Sequence, residues 1–404
     1  MNDTLFNLSV RLRSLSVFRA LLGDPVIKAL TEYLDCVDNV PVSRAVSAYS
    51  EFAARLYEAH TVNLSSYVQS IVTDDENVYI RCIGSGKTPS QTLVDGVNED
   101  LQVLQAVSDL TPQALRSAID WNGSLPVWEN ESIDLAGKYR HRVENIGKYG
   151  YGIYARYHMF YIEHDRQIVP VRNPDETRLS DLIDYNREKQ IILENTKALL
   201  EGKPAANILL TGDAGTGKSS TVKAVVNELY QEGLRILEVR KEQLREIPAI
   251  LDELTVNPLK FILFIDDLSF AKDDDNFSAL KAILEGSVSA KSQNVVIYAT
   301  SNRRHLVKEK FSDREGDDVH FNDTMQEIVS LSERFGIQLT FQRPDKATYL
   351  NIVKHLADAN GIEYSEDKLF AAAERFALAR STRSARAAKQ FVDSLISGSS
   401  ANVL

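Results

Sequence analysis

The run Gly212-Asp213-Ala214-Gly215-Thr216-Gly217-Lys218-Ser219-Ser220 has the residue types and spacing of a phosphate cradle, G-x-x-x-x-G-K-[ST]. Glycines let backbone N–H groups curl around phosphate oxygens, and Lys218 would reach the β- and γ-phosphates. The Ser219 hydroxyl would sit on Mg²⁺. About fifty residues on, a second chemical signal follows. Phe261-Ile-Leu-Phe-Ile265 is an apolar run ending in Asp266 and Asp267. The first acid suits a water-mediated contact to the cation, and the second suits polarising an attacking water. An Asp pair alone would be an ordinary acidic turn; behind a P-loop it is a partner for it.

Three further segments complete the set. Val295-Val-Ile-Tyr-Ala299-Thr300-Ser-Asn302 runs from apolar to polar. Asn302, or failing that Thr300, is placed to hydrogen-bond a γ-phosphate or the lytic water; an Asn-capped exit from a strand is the plainer alternative. Leu331-Ser-Glu-Arg334-Phe335-Gly336 offers an arginine that would either pair on its own surface or enter a neighbouring subunit's site and stabilise transition-state charge. Ser384-Ala385-Arg386 opens the last helical pattern, from which Arg386 would touch the phosphates.

The elements that must hold these groups follow from periodicity. Ala206 to Thr211 reads as a strand, and a helical pattern runs from Ser219 to Gln231. Ile236 to Val239, Phe261 to Ile265, Val295 to Ala299 and Ile337 to Phe341 read as four more strands. Strands alternating with helices imply a parallel sheet covered on both faces, with ligands at its carboxyl edge. Three strands are almost continuously apolar, as central strands are. Those around Arg235 and Ile337 interleave polar residues and read as edges. Helical starts are expected near Pro344-Asp345, Ser365-Glu366 and Ser381.

Up to about Asn122 the chain reads as mainly helical, with starts at Asp24-Pro25, Pro41-Val42-Ser43 and Thr111-Pro112. Tyr149 to Val171 is rich in aromatics, and its turn-like His164-Asp165-Arg166-Gln167 separates two extended runs, which suggests a β-hairpin. Lys138 to His164 also fits base stacking interleaved with charge; a hairpin with one packed face is preferred. Asn173-Pro174-Asp175 marks the expected domain boundary.

The 404 residues exceed one typical domain. The net charge of −11 argues against a general grip on nucleic acid, leaving only a local one open. No apolar run approaches a membrane span, and Met1 to Val10 does not read as a signal peptide. Two cysteines give neither a disulfide framework nor a metal site. A cytoplasmic location is the expectation.

In this order, the segments resemble the Walker A, Walker B, sensor 1, arginine finger and sensor 2 of the AAA+ superfamily. The phrases "LENTKALLEGKPAANILLTGDAGTGKSS", "FILFIDDLSF", "NVVIYATSNRRHL" and "LSERFG" are similar to those of a bacterial family of single-module AAA+ ATPases without established function. The likeness covers about 176–397. It implies an α/β fold, an αβα sandwich on a five-stranded parallel sheet with a carboxyl-terminal helical lid. The domains would be 1–173, mainly helical with a β-hairpin and carrying partner specificity; 174–342, the nucleotide-binding core; and 343–404, the lid. The resemblance also implies ATP and Mg²⁺ as cofactors, a homo-oligomer arranged as a ring or partial ring, and a protein client. Three departures stand out. Asp267 replaces the usual Glu, a reach shorter by about 1.5 Å, one carbon–carbon bond. Asp184 stands where many relatives have Gly on the adenine side, within Leu179 to Tyr185. No aromatic-x-Gly pore loop lies between Val239 and Phe261, which weakens a threading unfoldase. The expected function is ATP hydrolysis coupled to conformational change or remodelling of a partner. A slow ATP-dependent switch or loader is the first alternative, and a small-molecule P-loop kinase the second.

Overall fold

The computed structural model describes residues 3–36, 40–269, 275–285, 293–302 and 331–398. Residue 270 and residues 303–306, the ends of two phrases quoted above, lie outside them. The chain divides into two compact units, Met1–Arg156 and Tyr157–Leu404.

The first unit is helical. Asp24 accepts from the N–H groups of Val26 and Ile27, closing the first turn of the helix Pro25–Cys36. Helix Val42–Glu58 starts after Pro41, and Thr111 caps Pro112–Arg116. Their apolar faces meet in a core where Tyr33, Tyr49, Phe52 and Trp128 pack ring to ring. The buried Asp100 carboxylate accepts from three consecutive N–H groups, those of Ser16, Val17 and Phe18. These donors would otherwise be orphaned in the core. The aromatic stretch is packed rather than presented for base stacking: Tyr139, Tyr151 and Tyr154 are buried. Its first part is helical, in Ile146–Tyr149 and Ile153–Arg156, so only its second part is extended. Both cysteines are free thiols.

The second unit is built on a seven-stranded sheet of β1 (Met159–Ile162), β2 (Ile168–Pro170), β3 (Ile208–Gly212), β4 (Leu234–Val239), β5 (Lys260–Ile265), β6 (Val295–Ser301) and β7 (Ile337–Phe341). The order is β2-β1-β4-β5-β6-β3-β7, parallel throughout except for the β1–β2 hairpin. The fold is thus α/β, with the five expected parallel strands extended by two more. Met159 to Tyr161 hydrogen-bonds in register with Ile236 to Glu238, so the hairpin belongs to the sheet. The compact unit accordingly begins at Tyr157, ahead of Asn173-Pro174.

This pairing corrects the reading of the Arg235 strand as an edge, because β4 lies between β1 and β5. Arg235 is 4% exposed, and its Nη1 donates to the carbonyls of Tyr230 and Leu234, so the buried charged head finds backbone acceptors. β7 is an edge, as its alternation suggests.

Beyond β7 three helices, Lys346–Ala359, Glu366–Ala379 and Ala385–Ile396, share their own apolar core. Asp345 caps the first. The last begins at Ala385 under a Ser384 cap rather than near Ser381, which sits in a left-handed turn with φ +51°. Among the described residues no helix is long and apolar enough to cross a membrane.

Candidate functional site

The sheet order puts β6 between the P-loop strand β3 and the acid-bearing strand β5. Neighbouring strands lie about 4.8 Å apart, so the two chemistries start roughly 10 Å from each other. The loop bridges that gap. β3 ends at Gly212, residues 213–217 turn, and the helix Lys218–Leu229 begins over the carboxyl edge. Three glycines make the turn. Gly212 has φ +139°, and a Cβ there would come within 2.1 Å of the Phe341 carbonyl oxygen across β7. Gly215 has φ +78° and would press on Ser384 and Arg386. Gly217, at φ +93°, faces open space. Thr216 closes the loop by donating to the Asp213 carbonyl. Ala214 is exposed and Ser220 half-buried.

Lys218 is 5% exposed, and its Nζ donates to the Gly212 carbonyl (2.9 Å), the Asp213 carbonyl (2.8 Å) and Asn302 Oδ1 (3.0 Å). An ammonium has three hydrogens, so this set satisfies it. Burial lowers its pKa from the ordinary lysine value, against the pull of Asp266, Asp213 and Asp267; the Arg386 charge adds to the lowering. Ser219 Oγ donates to Asp266 Oδ1 at 2.6 Å. Asn302 Nδ2 donates to Asp267 Oδ1 at 2.6 Å. Lys218, Asn302 and Asp267 are therefore one hydrogen-bonded chain, and the expected acids stand beside the expected lysine and serine.

The pairing of β5 with β6 sets Ile265 opposite Ala299. One residue on, Thr300 meets Asp266: its Oγ1 donates to Asp266 Oδ1 at 2.5 Å and accepts the Asp267 N–H at 2.9 Å. Thr300 is 2% exposed. Its hydroxyl hydrogen is already engaged, so of the two expected polar residues Asn302 is the one at the lysine.

Arg386 is set beside the loop, its N–H donating to the Gly215 carbonyl at 3.3 Å. Arg334 is half-buried in the turn ahead of β7, where its N–H donates to the Leu331 carbonyl at 3.2 Å.

A cleft of about 610 Å³, lined by Leu179, Ile183, Asp184, Lys189, Thr348 and Asn351 among others, lies in the same unit. Asp184 and Tyr185 both have positive φ, +72° and +55°. The Tyr185 ring packs on Phe341, the residue Gly212 approaches, at 4.7 Å. Lys189 Nζ donates to the Leu182 carbonyl at 2.7 Å and is held below the ordinary lysine pKa by burial. The sequence signalled this cleft through the segment Leu179 to Tyr185, which supplies much of its lining; Thr348 and Asn351 come from the helices beyond β7 and carried no signal.

The donor set fits magnesium–nucleotide chemistry: a hydroxyl and a carboxylate 2.6 Å apart are hard oxygen ligands, next to a buried ammonium. A family model described as "Protein of unknown function (DUF815)" matches residues 155–399. No curated protein matches the chain. Among solved structures, the Thermotoga maritima RuvB Holliday junction branch migration motor is 16% identical with a TM-score of 0.34, over 54% of this chain and 72% of its own. C. elegans PCH-2 is 18% identical with a TM-score of 0.36, over 52% of this chain and 63% of its own. The FIGL-1 AAA domain in complex with ADP is 16% identical with a TM-score of 0.35, over 50% of this chain and 67% of its own.

Proposed function

The chain belongs to the family of unknown function DUF815, and on that footing we propose that it binds ATP with Mg²⁺ and hydrolyses the nucleotide, coupling the cycle to conformational change or remodelling of a protein partner within an oligomer. The observation that carries this reading is the hydrogen-bonded chain from Lys218 through Asn302 to Asp267, flanked by the Ser219–Asp266 contact.

Each residue then has a task. Lys218 exchanges its loop carbonyls for β- and γ-phosphate oxygens, which accept the same hydrogens. The amides of residues 213–219, at a helix start, face the remaining oxygens. Ser219 and Asp266 would hold the cation, which when bound neutralises charge on the phosphates. Asp267 orients water by accepting its hydrogen. Asn302 couples the two ends, since its amide touches both Lys218 and Asp267. Arg386, already against Gly215, reports loop occupancy to the lid.

The slow switch or loader keeps a specific observation in its favour. Asp267 is short, and its Oδ1 already accepts from Asn302, so one of its two carboxylate oxygens is engaged before a water arrives. Basal turnover separates the readings: a rate well above ~0.1 per second belongs to a working enzyme rather than an intrinsic switch. The decisive variant is Asp267→Asn, which keeps shape and loses the base. ATP binding should persist, while turnover falls by roughly 10²-fold or more, the usual weight of a general base. Unchanged turnover would remove Asp267 from the mechanism.

A further inference from the structure

Resting on the ATPase reading above, we infer that Thr300 is a positioning residue that fixes both acids of the site through one buried hydroxyl. Three consecutive residues of the acid turn are tied to it. Asp266 Oδ1 accepts from Thr300 Oγ1 at 2.5 Å, the Asp267 N–H donates to that oxygen at 2.9 Å, and the Leu268 N–H donates to the Thr300 carbonyl at 2.7 Å. Thr300 is 2% exposed, and its hydroxyl hydrogen is directed at Asp266, so it is not a phosphate contact.

The geometry at Asp267 gives this clamp its purpose. Asp267 has φ +52°, a left-handed conformation uncommon for side-chain-bearing residues and adopted by Asp more readily than by most, here with hydrogen bonds on both sides of it. The two backbone amides at 267 and 268 are anchored to Thr300 on either side of that turn. The turned backbone delivers the short carboxylate to Asn302 Nδ2 at 2.6 Å. An aspartate, one carbon–carbon bond shorter than glutamate, thereby reaches the amide that also touches Lys218. The same hydroxyl acts on the neighbouring acid. Asp266 Oδ1 accepts from both Thr300 and Ser219, which fixes the plane of the carboxylate toward the helix start. Thr300 thus links cation affinity, through Asp266, to turnover, through Asp267.

The test compares Thr300→Val, nearly isosteric without the hydroxyl, with Thr300→Ser, which keeps it, in the full chain. A fluorescent ATP analogue is titrated in EDTA and then across Mg²⁺ concentrations, and turnover is measured separately. In EDTA, Thr300→Val should bind within about two-fold of wild type, because the P-loop and Lys218 are intact. Its Mg²⁺ midpoint should rise roughly ten-fold and its kcat fall roughly 10- to 100-fold, the scale of misplacing a reacting group. Thr300→Ser should restore both to within about three-fold, since the hydrogen bonds are kept. Wild-type Mg²⁺ midpoint and kcat in Thr300→Val would overturn the inference. So would a Thr300→Ser variant as impaired as the valine one, which would assign the effect to the methyl group. Should Thr300→Val fail to fold, Thr300→Ala replaces it under the same comparison. Wild-type protein that neither binds nor hydrolyses ATP would sink the ATPase reading itself, a result distinct from either.

Discussion

At the residue scale, the P-loop lysine is held by the groups a nucleotide would displace. Lys218 Nζ donates to two carbonyls of its own loop and to Asn302, so the loop is closed around its charge. Phosphate oxygens are stronger acceptors than carbonyls, and charge-assisted bonds of this kind are worth about 1.5–3 kcal/mol each. Lys218→Ala should therefore weaken ATP binding by roughly 10- to 100-fold. Equilibrium titration with a fluorescent nucleotide measures it, and an affinity within two-fold of wild type would place the triphosphate elsewhere. Lys218, Ser219, Asp266, Asp267 and Asn302, which the structure brings together, stood out in sequence because phosphate and magnesium chemistry would restrict which types serve at which spacing. The joint role of Thr300 did not, because it depends on how β5 and β6 are aligned, and no local spacing encodes a cross-strand register.

At the scale of elements, the carboxyl edge depends on two close approaches. Gly212 lies against β7, where a methyl group would meet the Phe341 carbonyl at 2.1 Å, on a backbone at φ +139°. Gly212→Ala combines overpacking with backbone strain, together about 2–4 kcal/mol. A Tm lowered by roughly 5–10 °C is expected, with nucleotide binding impaired in parallel; a Tm at the wild-type value would mean that β7 yields freely. The hairpin is attached through His158. Its ring stacks on Tyr230 at 4.5 Å and bonds Asn227 at the end of the P-loop helix, and its carbonyl accepts from Ile236. Burial lowers its pKa, with the Arg235 charge adding to the lowering and the Asn227 bond opposing it. A histidine with a depressed folded pKa binds protons more readily in the unfolded chain. Stability is therefore complete above the unfolded value of about 6.5 and is lost as pH falls below it. Denaturant melts at pH 7 and pH 5 should show a larger loss for wild type than for His158→Gln, and equal losses would mean that the ring titrates as if exposed. The apolar runs of β3, β5 and β6 announced central strands. β4 did not, because Arg235 reads as polar in sequence, whereas in the fold its guanidinium is buried and donates to backbone carbonyls. The hairpin's membership of the sheet was equally hidden, since β1 pairs with β4, from Met159 to Ile236, across the P-loop.

At the scale of the whole molecule, the site has its cradle, its acids and its amide relay within one chain, and Arg386 lies against Gly215 from the lid side. Arg334 occupies the turn before the edge strand β7, next to Phe335, which is buried, and Gly336, where a Cβ would come within 3.0 Å of Ala206. Packing of the two residues that follow Arg334 fixes the backbone between it and β7. An edge position suits delivery to another subunit, because head-to-tail contacts bring a different surface of the neighbour to each site. If Arg334 works in that way, two inactive variants should complement each other. An Arg334→Ala subunit keeps an intact P-loop, and a Lys218→Ala subunit keeps an intact arginine. Mixed at equal amounts in a cyclic assembly, up to about a quarter of the interfaces would unite a working site with a working arginine. Turnover should therefore reappear on mixing, pass through a maximum near equal proportions and vanish toward either pure variant. An arginine acting within its own chain gives zero recovery at every ratio, and that outcome, in preparations shown by light scattering to contain mixed oligomers, would return Arg334 to its own subunit.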